Sequence, residues 1–237
     1  MELEVCVDSL TSAKAAINGG ADRLELCAGL HCDGLTPSIG FCRKIKEFCS
    51  IPSYAIIRPR PGDFIYDNEE LDVMLYDIDH LKEYADGFVI GCLRESGDIS
   101  VDQTGLVIER IGSYPITFHR AIDASRNPLI TINSLIQLAN QYMPPHCPFR
   151  VLTSGGSPAA LEGSDVIRQL VGQVASSGIQ IMAGGGITEL NVQEILDKTN
   201  VRAIHGSFSV SRGQAKCTVV EAVRNVRNIL DKFDRYK

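Results

Sequence analysis

Eight short apolar runs punctuate the chain, and the stretches between them repeat apolar residues every three or four positions. The runs are LEVCV (3–7), RLELC (23–27), SYAIIRP (53–59), GFVIGCL (87–93), PITFHRA (115–121), FRVLTS (149–154), IQIMAG (179–184) and AIHGSFS (203–209). Runs this short, bounded by helical patterns, predict parallel strands covered by helices. In NEELDVMLYDIDHLKEYA the residues Leu71, Met74, Leu75, Ile78 and Leu81 keep the helical rhythm; Val219, Val223, Val226, Leu230 and Phe233 keep it near the C-terminus. Thr36-Pro37 and Asn68-Glu69-Glu70 predict helix starts, and the glycines of INGGAD (17–22) predict a helix end.

Strand–helix units of about 30 residues each match the size of a βαβ repeat. No linker rich in Pro, Ser or charge interrupts the series. The pattern predicts an α/β fold, a (β/α)8 TIM-type barrel with residues 1–237 as a single domain. A doubly wound open sheet is the alternative, but it needs fewer strands and leaves some runs unexplained.

The strands are less apolar than a barrel core requires. In RLELC, Leu24 and Leu26 share one face, and Glu25 and Cys27 share the other by the two-residue strand repeat. Active sites of such barrels lie at the carboxyl ends of the strands, and those ends are polar throughout. Strand one offers Glu4, Cys6 and Asp8 on one face. Strand three ends with Arg58 and Arg60, strand five with His119 and Arg120 ahead of Asp123, and strand eight with His205 and Ser207. Buried carboxylates cost several kcal/mol each, on the order of what only a partner can offset. The expectation is that Glu4 and Glu25 meet Arg58 and Arg60 in a polar pocket at the top of the barrel. In the loops after strands seven and eight, Gly185, Gly186, Gly206 and Ser207 offer an anion site, because backbone without side chains lets N–H groups approach phosphate. TSGGS (153–157) fits a plain turn.

Charge works by exclusion. With 23 Lys and Arg against 29 Asp and Glu, the net charge is −6, which argues against nucleic-acid and anionic-membrane partners. MELEVCVDS enters a strand directly, without the pattern of a signal peptide, and no apolar run approaches a membrane span. The expected location is cytoplasmic, where the eight cysteines are reduced thiols. None forms a C-x-x-C pair. Cys6 and Cys27 each follow a glutamate by two residues and sit at corresponding places on neighbouring strands, so two thiolates could share a soft Cu(I) ion. Two barrel-facing thiols without metal are an equal alternative. His31 and Cys32 lie close enough in sequence to assist a metal.

At these residues the sequence resembles the CutC family, named for copper homeostasis. The matching elements are MELEVCVDS, GGADRLELCAGL, GLTPSIG, IIRPRPGDFIY, TFHRAID, VLTSGG, GGGIT and IHGS, in the expected order from residue 1 to about residue 209. The chain departs from the family pattern at Ala183, where proline is common, and at Ile122, where phenylalanine is. The resemblance implies a TIM-type barrel, a cytoplasmic setting, assembly as a dimer or tetramer, and copper binding with Cys6 and Cys27 as the Cu(I) ligands. The alternative function is that of an enzyme acting on a small anionic or phosphorylated metabolite. Glu25 would then be the acid or base, with His119 a second candidate; Arg58 and Arg60 would clamp the anion, and Gly185, Gly186 and Gly206 would hold phosphate. No motif specifies a reaction.

Overall fold

Alternation along the strands builds the molecule. In the computed structural model, which describes residues 1–212 and 215–235, one set of alternate strand residues is buried against helices and the other faces the barrel axis. The strands are β1 (Glu2–Val7), β2 (Arg23–Leu26), β3 (Ser53–Ile56), β4 (Gly87–Ile90), β5 (Ile116–Phe118), β6 (Phe149–Thr153), β7 (Ile179–Gly184) and β8 (Ala203–Gly206). They pair in parallel and in sequence order, and β8 closes onto β1. Helices α1 (Leu10–Gly19), α2 (Ile39–Lys46), α3 (Asn68–Leu81), α4 (Val101–Ile111), α5 (Pro128–Tyr142), α6 (Ser164–Gln173), α7 (Val192–Thr199) and α8 (Val220–Arg235) form the outer ring. The expected (β/α)8 barrel is the fold.

The outward set, Val5 and Val7 on β1, Leu24 and Leu26 on β2, Phe88 and Ile90 on β4, has no solvent contact. Burying each such side chain contributes about 1.5–3 kcal/mol. The helices answer with matching stripes, as Val223, Val226, Leu230 and Phe233 do on α8. Gly19 lets α1 and α8 approach closely, since a Cβ there would lie 2.7 Å from Val223 Cγ1.

Local signals set the boundaries. Gly20, at φ 94°, ends α1 as INGGAD predicted. Asp67 and Glu70 form a reciprocal capping box at the start of α3. The expected helix start at Thr36-Pro37 is corrected: α2 begins after Ser38, whose hydroxyl accepts the Phe41 N–H. Thr36 is instead committed to the segment that follows β3, its hydroxyl accepting the Arg58 N–H at 2.9 Å.

One element has no counterpart in the sequence reading. After β8 the chain forms an antiparallel ribbon, β9 (Ser209–Arg212) and β10 (Ala215–Thr218). It is tied to α1 by Thr218 N–H donating to the Ser12 hydroxyl at 3.2 Å.

Candidate active site

The inward set forms two tiers. In the lower one, Arg23 on β2 donates from Nε to Glu4 and from Nη1 to Glu2, both on β1. Its guanidinium lies 4.6 Å from the centre of the Tyr54 ring. Arg150 on β6 holds Glu2 at 3.1 Å, Gln180 at 2.7 Å and the Tyr54 hydroxyl at 3.3 Å. Gly87 makes room for the Tyr54 ring, which a Cβ would approach to 2.7 Å. Glutamates that only a partner could make tolerable are thus held by arginines inside the barrel.

This corrects the expected pairing of Glu4 and Glu25 with Arg58 and Arg60. Glu4 is matched by Arg23 and by His205, whose Nδ1 lies 2.7 Å from Glu4 Oε1. Burial pushes the Glu4 carboxyl up, but Arg23 and His205 more than offset it and lower its pKa to about 2. His205 is raised well above the ordinary histidine range despite its burial, because Cys6, Glu25 and Glu4 surround it. Glu25 Oε2 stands 3.5 Å from the same Nδ1, a charge contact without a hydrogen bond. Burial raises Glu25 to about 7; His205 works against the rise and Glu4 adds to it.

Above this tier a cavity of about 510 Å³ opens at the carboxyl ends of the strands, within the range of small-molecule sites. Of the residues singled out in the sequence, Cys6, Glu25, Arg58, His119, Gly185, Gly186, Gly206 and Ser207 line it; Arg60 and Cys27 do not. Strand β3 ends at Ile56, so alternation no longer governs Arg60. Arg60 turns outward to Glu70, Asp63 and the Ile65 carbonyl. Arg58 points in, but its Nη atoms are used on the carbonyls of Cys32, Gly34 and Gly62. It pins two loops rather than offering a bidentate clamp.

Two cations outside the expected anion site also line the cavity. Arg120 follows His119, and Lys216 comes from β10; both line the cavity. Arg120 donates to Asp123 and to the Ser154 hydroxyl, each at 2.9 Å. Asp123 also accepts the N–H groups of Ser154 and Gly156, so the loops after β5 and β6 share one carboxylate. Gly185 and Gly186 have φ of 106° and 67°. A Cβ on Gly185 would press to 3.1 Å from Ser154 Cβ, and one on Gly206 to 2.8 Å from the Phe208 ring. The sequence signal for Arg120 lay in TFHRAID itself; Lys216 carried none, because its ribbon was not recognised.

His119 is fixed by its own backbone. Its Nδ1 accepts the Ala121 N–H at 3.1 Å, and its ring rests 4.8 Å from that of Phe64. Burial, aided by Arg58, lowers its pKa to about 3. Gly91 creates the space for this ring: a Cβ there would stand 2.6 Å from Nδ1.

The two cysteines are not opposite one another. The register sets Cys6 against Glu25, so Cys27 lies one residue pair further along β2; closure of a barrel staggers neighbouring strands. Cys27 is 1 % exposed, donates to the Val7 carbonyl at 3.4 Å and packs with Tyr54, Ile56 and Val89. Burial first, then Cys6 and Glu25, push its thiol well above the usual range. A Cu(I) bis-thiolate needs two ionised sulfurs turned to one point, and Cys27 lies near enough to Cys6 for the two thiols to oppose each other's ionisation. Among the described residues, Glu4, Glu25 and His205 offer oxygen and imidazole donors within 4.8 Å of one another, Glu4 being hydrogen-bonded to His205 and to Arg23. His31 is exposed, and Cys32 donates to the Gly29 carbonyl, so neither reaches the cavity wall.

Fold and site together define a class: a TIM-type barrel with a plugged lower interior and a polar, ligand-sized cavity at the carboxyl ends of its strands. Within that class the chain belongs to the CutC family, whose sequence model matches residues 1–210. A CutC family protein of Aliivibrio fischeri is 38 % identical over 236 residues, covering 98 % of this chain and 92 % of that protein. The human copper homeostasis protein cutC homolog is 42 % identical over 211 residues, 89 % of this chain and 74 % of its own length. The crystal structure of the copper homeostasis protein CutC from Streptococcus agalactiae superposes with a TM-score of 0.79 at 30 % identity, covering 87 % of this chain and 98 % of that one.

Proposed function

We propose that this CutC family member is an enzyme that acts on a small phosphorylated metabolite bound at the mouth of the barrel. The observation that carries the reading is the lining of the cavity, which includes Arg120 and Lys216 as well as the bare backbone of Gly185, Gly186 and Gly206. TIM barrels hold phosphate at the loops after strands seven and eight, and left-handed backbone lets N–H groups close on an anion. Glu25, held near neutrality, supplies an acid or base on the facing side.

Titration with inorganic phosphate, followed by calorimetry, tests this. Saturable binding by the wild-type protein is expected, weakened at least tenfold in the Arg120→Gln/Lys216→Ala variant with thermal unfolding little changed. Absence of saturable binding overturns the reading.

Cu(I) binding through Cys6 and Cys27 is the second reading. It is favoured by the names of the human and mouse relatives and by Cys6 lining the cavity close to His205. Stoichiometric Cu(I) uptake under reducing conditions that disappears in Cys6→Ser/Cys27→Ser would establish it; uptake unchanged by that variant removes it. The cytoplasmic placement is supported by eight free thiols, and no helix among the described residues is long and apolar enough to cross a membrane. Assembly into a homo-oligomer is proposed through Val73 and Tyr76 on α3 and Leu106 on the adjacent α4, all exposed apolar residues. Light scattering of the purified protein checks it.

A further inference from the structure

Three buried polar atoms at the cavity have no hydrogen-bond partner: Glu25 Oε2, Arg58 Nε and His119 Nε2. Their residues are 5 %, 4 % and 4 % exposed and all line the same cavity. An unmet buried polar group is costly, so such atoms on residues gathered around one space mark where a ligand supplies the missing partners.

Local bonds decide what each atom can do. His119 Nδ1 is occupied as an acceptor by the Ala121 N–H, so the ring proton resides on Nε2, which is a donor. Arg58 has committed both Nη atoms to carbonyls, and the buried Tyr66 hydroxyl lies against its guanidinium, so it positions loops rather than serving the ligand. Glu25 Oε2 is an acceptor. Glu25 on β2 and His119 after β5 are three strands apart around the ring, so they address a ligand from different sides. The neutral imidazole polarises an oxygen without surrendering its proton, and a carboxylate across from it draws a proton from carbon; that division of labour suits chemistry next to a carbonyl.

We infer that the cavity catalyses proton transfer at the carbon beside a carbonyl group of a small phosphorylated compound, with Glu25 as the base and His119 Nε2–H holding the carbonyl oxygen. This rests on the phosphate-binding wall proposed above. In the step, Glu25 Oε2 accepts the proton and the C–H bond breaks. The released pair forms a carbon–carbon double bond, and the carbonyl π pair moves to oxygen, where His119 Nε2–H stabilises it. Return of the proton from Glu25 reverses the flow, so no oxidant, reductant or further reactant is consumed.

The test uses 2-phosphoglycolate, whose planar carboxylate resembles the charged intermediate, against inorganic phosphate. Calorimetry with the wild-type protein is expected to give 2-phosphoglycolate an affinity at least tenfold tighter than phosphate. His119→Gln should lose that advantage while binding phosphate within about twofold of wild type; Gly91→Ala, which crowds the ring, should do the same. In D2O, wild type should exchange the carbon-bound protons of dihydroxyacetone phosphate at least 100-fold faster than Glu25→Gln. Equal affinities for the two ligands, or exchange no faster than in Glu25→Gln, overturn this inference and leave the phosphate reading standing. Failure of both ligands to bind overturns the two together.

Discussion

The lower and upper tiers of the barrel interior use the same kinds of residue to different ends. Below, Glu2, Glu4, Arg23 and Arg150 form a network of matched charges capped by Tyr54 and Gln180. Above, Glu25 and His119 line the cavity and each retains a buried atom without a hydrogen-bond partner. The difference teaches how to separate a structural charge from a functional one when both are buried. A charge whose bonding capacity is spent holds the fold, and one with capacity left over awaits a ligand.

The sharpest way to break this comparison is at Arg23. Arg23→Met strands Glu4 and Glu2 without their main cation, and a loss of about 3–5 kcal/mol is expected, read by urea unfolding. A loss below ~1 kcal/mol would mean that the lower network is not structural.

Glu25→Gln should act in the opposite sense. The unfolded carboxyl titrates near 4.5 and the folded one at about 7, so between these values the native state keeps a proton that the unfolded state has released. Wild-type stability therefore falls as pH rises through that window. Glu25→Gln escapes the fall, and its advantage should be absent at pH 4 and reach about 1–3 kcal/mol at pH 8. The paired lower carboxylate behaves in the reverse way: Glu4, lowered to about 2, contributes stability that is lost only as pH drops towards that value.

Gly91→Ala sharpens the upper tier. Overpacking against the His119 ring should cost about 1–3 kcal/mol, and a double-mutant cycle with His119→Ala should recover only part of it, because the ring clash is removed while the Ala121 Cβ, 2.8 Å from the added Cβ, remains. The smallest effect belongs to Arg60→Ala. Its pairs with Glu70 and Asp63 are partly exposed, so unfolding should shift by no more than about 1 kcal/mol, and phosphate affinity should not move.

Much of this was legible from local pattern. All eight strands follow from short apolar runs, and the inward face of β2 could be read from RLELC, since Arg23, Glu25 and Cys27 alternate together. The same alternation carries the signal for Arg23 as the counter-charge, two residues before Glu25, whereas Arg58 and Arg60 lie at and beyond the end of their strand. What the chain did not disclose depends on closure. The stagger that sets Cys6 against Glu25 rather than Cys27 is a property of the whole ring. Where alternation stops is also non-local: Arg60 leaves the cavity because β3 ends four residues earlier, before Pro59. Gly91 reveals its purpose only once the His119 ring is seen beside it, and SVSR with AKCT went unread as a ribbon because each segment is short and sparsely apolar.

The Glu2–Arg23–Arg150 network has a consequence for traffic. It stoppers one end of the cylinder, making a cup of what would otherwise be a tube. Whatever enters at the rim must depart over the same rim, so product has to clear the opening before the next molecule can settle, and nothing can be threaded from one side of the barrel to the other.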